Sequence, residues 1–529
     1  MKNTLFFLLL IANLTASAQN KGNTADAKNS LLKSETFNGL KFRSIGPALT
    51  SGRVIDFAVN PNNPKEYFVA AAAGGVWKTV NGGITYDPVF ENEGSFSIGC
   101  VTYDPNNSNV IWVGSGENNN QRSASYGDGI YKSTDGGKSW KNMGLKLSEH
   151  IGMIKVDPKN SDVVYVAAYG PLWSAGGDRG IYKTIDGGKT WKKILNVSEY
   201  TGFNEIHIDP RYSNILYASA HQRSRQGYSF ISGGPESNLY RSTDGGVTWD
   251  TLSNGLPGGD KGRIGISISP VNPDFIYAII EASGRTGGVF RSTDRGASWT
   301  KMSDNYTAGN YYGEIFCDPK DVNKVFYVDF WIMVSNDGGK TFNKIGEKYK
   351  HVDNHALWID PNDTEHLIAG CDGGIYETYD YGANWEFKAN LPVTQFYKVA
   401  VDNATPFYNV YGGTQDNNSL GGPSRTINAN GITNADWFFT QEGDGFESQV
   451  DPDDPNIVYC QSQYGGLGRF DKKTGELMDI KPIEGANDKA LRWNWDSPLI
   501  VSTHKAQRIY FGANKLFKSD VKSLVPFSE

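Results

Sequence analysis

From about Arg43 onward the chain alternates short apolar runs with polar turns, and within the runs apolar and polar positions keep a period of two. One stretch shows the formula: MIKVDPKNSDVVYVAAYG over 153–170, then GIYKTIDGGKTWKKI over 180–194. A first run closes at Asp157-Pro158, where proline cannot donate into a ladder and aspartate favours a turn. A second run, VVYVAAY, follows; a third leads into a glycine-rich turn, and a fourth leaves it through Trp191. Four short runs joined by tight turns predict one four-stranded antiparallel sheet.

The formula recurs. Asp-Pro-type turns fall at Asn60-Pro61, Asp104-Pro105, Asp157-Pro158, Asp209-Pro210, Ser269-Pro270, Asp318-Pro319 and Asp360-Pro361. The glycine-rich turn reads STDGGKSW (Ser133–Trp140), TIDGGKTW (Thr184–Trp191), STDGGVTW (Ser242–Trp249) and STDRGASW (Ser292–Trp299). Looser copies are TVNGGITY, SNDGGKTF and TYDYGANW. A motif repeating every ~40 to 60 residues signals a repeat architecture. Its aspartate accepts backbone N–H bonds of the turn, its glycine supplies positive φ, and its closing aromatic packs between neighbouring sheets. That chemistry accounts for Asp135, Asp186, Asp244 and Asp294 as hairpin clasps rather than catalytic acids.

After Trp385 the motif disappears. Three further units centre on Asp402-Asn403, Asp451-Pro452 and the region after Ser502-Thr503; the second has RFDKKTGE as its hairpin, and the third stops after LFKSD. The expected fold is therefore all-β: a β-propeller of four-stranded antiparallel blades, seven-bladed over 36–391, with an incomplete second propeller over 392–529. A single ten-bladed ring is the alternative. Phe37 to Ile45 reads as a spare strand that completes a blade. Residues 1–18 read as a signal peptide, with Lys2, the apolar Leu5 to Leu14 and a small-residue cleavage site at Ala16-Ser17-Ala18; 19–35 read as a linker. Cleavage near Ala18 implies a secreted, periplasmic or cell-surface protein, and no later segment is apolar enough to span a membrane. The net charge of −7, with no basic block, gives nucleic acid no electrostatic footing. Cys100, Cys317, Cys371 and Cys460 lack metal-type spacing and read as buried thiols. No cofactor is implied.

In such a blade the strand directions alternate. The loop between the second and third strands then shares a face with the start of the first strand, opposite the glycine-rich turns. That face carries the long insertions, among them Glu117 to Asp128 with Tyr126, and Gly170 to Arg179 with Trp173. Loops gathered on one face of a rigid scaffold are the usual place for binding. First-strand starts bring Arg53, His351, Asp353, His355, Tyr397 and Asp444 to the same region. In HVDNHALWIDP the spacing of two places His351, Asp353 and His355 on one strand face, where they are candidate metal ligands, a grip for a hydroxylated ligand, or a polar plug for the channel. Turns add Asp372 in GCDGGIYET and Gln415 and Asp416 in YGGTQDNNS. Asp353, Asp372, Asp416 and Asp444 are the catalytic candidates, because two carboxylates flanking a glycosidic bond are the minimal machinery for sugar hydrolysis. Arg53, His351, His355, Gln415, Tyr397, Trp173 and Tyr126 are the ligand-binding candidates.

The repeated turn resembles the Asp-box of sialidase-like and sortilin-like propellers. The strings IGPALTSGRV, AAGGVWKTVNGG, HVDNHALWIDP, GGTQDNNS and EGDGFE resemble those of secreted bacterial BNR-repeat glycosyl hydrolases. These are related to sortilin-type receptors, which bind peptides and proteins, and to xyloglucanase-type glycoside hydrolases, in which two propellers face each other across a polysaccharide cleft. The resemblance implies an exported propeller that binds, and in one reading hydrolyses, extracellular polysaccharide; the alternative is a sortilin-like peptide-binding propeller. One departure matters: the catalytic Asp that xyloglucanase-type enzymes carry before a Gly-Gly pair in the first blade is replaced by Ala72, which cannot transfer a proton.

Overall fold

The computed structural model describes residues 34–520, apart from 486 and 507. The expected signal peptide and all but the end of the expected linker lie outside the described residues. The chain divides into two units, 1–45 and 46–529. In the first, Ser34–Phe37 forms one 3-10 turn, and no strand follows. The spare strand expected at Phe37 to Ile45 is not formed. Leu40 and Phe42 are both exposed, so the segment lacks the covered face that stabilises a strand.

The second unit holds ten antiparallel sheets among the described residues: eight of four strands, one with a fifth strand, and one of three. The first seven span 54–387. Their innermost strands are Val54–Val59, Ile98–Asp104, Ile151–Asp157, Thr201–Ile208, Lys261–Ile268, Glu314–Cys317 and Asn354–Ile359. Each packs on the next, and the seventh packs on the first, which closes a ring. The closing core joins Val54, Tyr67, Val69 and Ala71 to Ile368, Ile375, Leu391 and Val393. Backbones approach closely there: a Cβ on Gly370 would lie 2.7 Å from Val54 Cγ1 and 2.8 Å from its carbonyl oxygen.

The glycine-rich turns show why their residues are required. The Ser242 hydroxyl donates to Asp244 Oδ1 at 2.8 Å and accepts the Gly246 N–H at 2.9 Å. Asp244 in turn accepts the Thr248 N–H at 2.9 Å and the Thr248 hydroxyl at 2.6 Å. The same clasp forms around Asp135, Asp186, Asp294, Asp337 and Asp380. These hydrogen bonds, led by those from Ser139, hold the Asp135 carboxyl down at about 2, so it stays an acceptor and does not serve as an acid near neutral pH. The closing tryptophans pack backwards. Trp140 donates its indole N–H to Val89 O at 2.7 Å and Trp191 to Met143 O at 2.8 Å, stitching the second sheet to the first and the third to the second.

Three further sheets follow. Their innermost strands, Phe396–Val401, Ser448–Val450 and Leu499–Val501, pack on one another in order. The chain leaves the ring pressed against its own start: Ser51 donates to Leu391 O at 2.7 Å and Thr394 to Thr50 O at 2.7 Å. A Cβ on Gly52 would meet Val393 O at 2.5 Å.

Gly370→Ala is expected to destabilise the protein by about 1–3 kcal/mol, because the added methyl forces the first and seventh sheets apart. Chemical denaturation measures this; an unchanged midpoint would mean that the seam has slack.

Candidate functional site

Ring closure sets Arg53, just ahead of the first innermost strand, beside Asp372, in the turn between the second and third strands of the seventh sheet. Arg53 donates through Nε to Glu117 Oε1 at 2.7 Å, and through Nη1 to the Tyr311 hydroxyl at 2.5 Å and to Asp372 Oδ1 at 3.5 Å. Tyr311 donates to Asp372 Oδ2 at 2.5 Å, and His355 Nε2 lies 2.8 Å from Asp372 Oδ1. Arg53, Glu117 and Asp372 are at most 3% exposed. Burial alone would raise the Asp372 carboxyl; the Arg53 guanidinium and His355 outweigh it and hold the group well below the usual range. The loop before the sixth sheet brings Tyr311 and Tyr312 over the channel. Asn310 O accepts the Asn120 N–H at 2.9 Å, and the Tyr312 ring stacks on His355 at 5.5 Å. Deeper in the channel Arg263 Nη2 pairs with Glu314 Oε1 at 2.6 Å, and burial pushes the neighbouring Glu205 and Glu314 carboxyls up to about 7.

The later sheets meet this network from the other side. Asp416 sits in the turn between the second and third strands of the eighth sheet, and Asp444 lies just ahead of the ninth. The Asp416 N–H donates to Asp444 Oδ1 at 2.5 Å. The Asp416 carboxyl lies near enough to Asp372 and Asp444 for both to act on it. Burial, then the charges of Asp372 and Asp444, push it up to about 9, so at neutral pH it carries a proton. Asn417 Nδ2 donates to Asp372 O at 2.9 Å. The turn is held in the left-handed region, with φ 58° at Asp416 and 71° at Asn418, a conformation that Asp and Asn tolerate best among non-glycine residues.

Beside the carboxylates runs a row of rings. Tyr397 stacks on Phe446 at 4.9 Å, Phe446 meets Trp495 edge-on at 6.3 Å, and Tyr464 meets Trp495 edge-on at 4.9 Å. The Tyr397 hydroxyl is pushed up by burial and by Asp444 and Asp416, and is opposed by Arg53 and Arg122, which places it among all four.

The candidates thus divide. Arg53, His355, Asp372, Asp416 and Asp444 form one connected network, with Tyr397 against it. Asp353 accepts the Tyr312 hydroxyl on its carboxylate and the Asp372 N–H on its carbonyl, and burial and the Asp372 charge raise its carboxyl. Gln415 shares the Asp416 turn and is half-buried, its N–H donating to Gln395 O at 3.3 Å. The shared strand face expected for His351, Asp353 and His355 is not formed. Asp353 has φ 61° and the strand begins only at Asn354, so the alternation breaks between them. His351 instead lies 2.8 Å from Val352 O and 3.3 Å from Asp416 O. Burial disfavours its charge, but Cys371 and the Val352 carbonyl favour it more and push it up to about 10. Among the described residues no group of three His, Cys, Asp or Glu side chains is arranged to hold a metal ion. Trp173 and Tyr126 project from their loops, 46% and 74% exposed, and neither joins the network. Nothing in the sequence singled out Glu117, Tyr311, Phe446, Tyr464 or Trp495. The adjacent pair Tyr311-Tyr312 before a strand and the RWNWD string at 492–496 were the available signals.

Ala72 has a structural counterpart. Its N–H donates to Arg53 O at 2.9 Å, and the Asp372 N–H makes the same bond to Asp353 O at 3.1 Å. Asp372 therefore holds in the seventh sheet the register position that Ala72 holds in the adjoining first sheet, so a carboxylate stands one sheet away from Ala72.

The fold is a β-propeller. No protein-family model matches the chain. It is 27% identical over 247 residues to a xyloglucanase of Hypocrea jecorina, a match covering 41% of this chain and 27% of that protein. It is 26% identical over 301 residues to a xyloglucanase of Acetivibrio thermocellus, covering 47% and 35%. The matches thus span about a third or less of those relatives. Among solved structures, the GH74 xyloglucanase of Xanthomonas campestris superposes with a TM-score of 0.55 at 15% identity, covering 91% of this chain and 80% of that one. The GH74 enzyme of Niastella koreensis gives 0.52 at 17% identity, covering 92% and 79%. At these identities the structural likeness establishes the shared fold.

Asp416 yields a pH test. Its carboxyl titrates near 3.8 when unfolded and near 9 when folded, so the folded state holds an extra proton between those values. The group's contribution to stability is full below the lower value and is lost as pH rises towards the upper one. Asp416→Asn, which keeps a neutral hydrogen-bonding group, is expected to gain stability relative to wild type from pH 5 to 9, by up to about 1.4 kcal/mol per pH unit. A difference that stays flat across that range would rule out the shared proton.

Proposed function

We propose that the protein binds extracellular polysaccharide in the cleft between the seven-sheet ring and the three later sheets. The observation that carries this reading is the accessible rings Tyr397, Trp495 and Tyr464, bridged from beneath by buried Phe446, beside the Asp372–Asp416–Asp444 cluster. Sugar rings present C–H faces that stack on aromatics and hydroxyls that donate to carboxylates, so such a site suits them on both counts. The matched curated relatives, all named as xyloglucanases, support the same ligand class.

For hydrolysis, Asp416 is the residue suited to act as acid. It holds a proton at neutral pH, as a general acid must. The trio does not by itself supply the second group. Asp416 lies against both Asp372 and Asp444, whereas glycosidase carboxyl pairs stand about 5–9.5 Å apart to admit the scissile bond. Binding therefore comes first in this reading, and proton donation by Asp416 is its extension.

Affinity electrophoresis in gels containing xyloglucan and other neutral glycans tests it. Wild type is expected to be retarded, and Trp495→Ala to weaken retention at least about tenfold, the loss of roughly 1.4 kcal/mol. Any reducing-sugar release should vanish in Asp416→Asn. Retardation by no glycan, together with capture of short peptides, would replace this reading with a peptide-binding propeller.

A further inference from the structure

Among the described residues, two arginines near Trp495 have no acidic partner. Arg122 extends from the loop between the second and third strands of the second sheet, and its guanidinium lies over the Trp495 ring at 6.0 Å. Arg225 lies on the long strand Leu216–Gln226 of the fourth sheet; its Nε donates to Asn120 O at 2.8 Å and its guanidinium lies over the Phe230 ring at 4.8 Å. Among the described residues neither forms an ion pair. Arg225 uses one N–H on the protein and Arg122 none, which leaves the outer edges of both forks for a ligand.

The base beneath them is built. Arg223, 1% exposed, donates to Asn119 O at 2.7 Å, to Asn120 Oδ1 at 3.0 Å and to Gly170 O at 3.1 Å. Asn120 is thereby fixed from below, and it also donates through Nδ2 to Ser232 Oγ at 3.1 Å on the hairpin that carries Phe230. Arg225 is bonded to the Asn120 carbonyl, two residues ahead of Arg122, and after burial the Arg122 charge is what lowers it. Arg122 lies over Trp495, whose ring meets Phe446 and Tyr464 edge-on, so the pair adjoins the aromatic row beside the carboxylates.

We propose that Arg122 and Arg225 form a subsite for an acidic sugar residue, carried as a carboxylate or a sulfate ester, within the polysaccharide bound in the cleft. The proposal rests on the reading of that cleft as a polysaccharide site and names the class of polymer. An anion between the two forks relieves their repulsion and takes the paired N–H bonds that guanidinium offers to planar or tetrahedral oxyanions. The rings of Trp495 and Phe230 give the sugar bearing it apolar faces to lie against. With a net charge of −7 the protein as a whole repels polyanions, so retention of an acidic polymer reports a local site.

The test is affinity electrophoresis of the full chain in gels holding polygalacturonate, dextran sulfate or neutral xyloglucan. The expected result is stronger retention by an acidic polymer than by xyloglucan. Arg122→Gln, an exposed change, should cut acidic retention about fivefold to tenfold and leave xyloglucan retention within about twofold. Arg225→Gln should act likewise, and Arg225→Lys should restore part of the effect; thermal melts of each variant check the fold. Retention by polygalacturonate alone assigns a carboxylate, and retention by both acidic polymers assigns the shared anion chemistry. Retention by xyloglucan without any preference for acidic polymers, or acidic retention untouched by both Gln variants, overturns the subsite and leaves the cleft reading standing. Retention by no glycan overturns both.

Discussion

At the seam where the seventh sheet meets the first, Gly370 lies against Val54 with no room for a methyl group. That contact closes the ring and brings Arg53 and Asp372, 319 positions apart in the chain, into one ion pair. Because the glycine allows the backbones to touch, the buried guanidinium finds both its acids, Glu117 and Asp372, and its charge stays balanced away from water. A ring held open at this point would leave Arg53 buried and half-paired, which costs several kcal/mol. The structural seam and the centre of the candidate site are thus one feature.

From that centre the network passes to the later sheets through a single proton. Asp372 is held ionised by Arg53 and His355, and Asp444 receives the Asp416 N–H, so Asp416, placed between two acids, keeps its proton. The turn bearing it also donates an Asn417 side-chain N–H to the Asp372 carbonyl. The eighth sheet is consequently tied to the seventh through the same groups that face the cleft. Asp135 and its counterparts, saturated by their own turns, take no part in that tie.

The blades were legible residue by residue. Alternating runs gave the strands, Asp157-Pro158 and its counterparts gave the first turns, and STDGGKSW-type strings gave the clasps, because each depends only on neighbours a few positions away. Strand alternation alone gathered Arg53, Asp372, Asp416 and Asp444 on one face, and the structure brings these four together. The failures were of another kind. Phe37 to Ile45 has strand-like composition, yet a strand also needs a covering partner. His351, Asp353 and His355 have strand spacing, yet one left-handed residue, Asp353, breaks the alternation that the spacing assumes.

The sequence by itself determined the repeating antiparallel unit, the quiet role of the turn aspartates, and the placing of Asp372 and Asp416 in turns and Asp444 at a first-strand start on one face, since all of these follow from local hydrogen bonding and side-chain period. Only the tertiary structure decided that seven sheets close while three stand beside them, that Glu117 and Tyr311 complete the Arg53 pair, and that Asp416 shares a proton across the junction. Those outcomes turn on backbones approaching within a few ångströms and on burial shifting charge, quantities that separation along the chain does not encode.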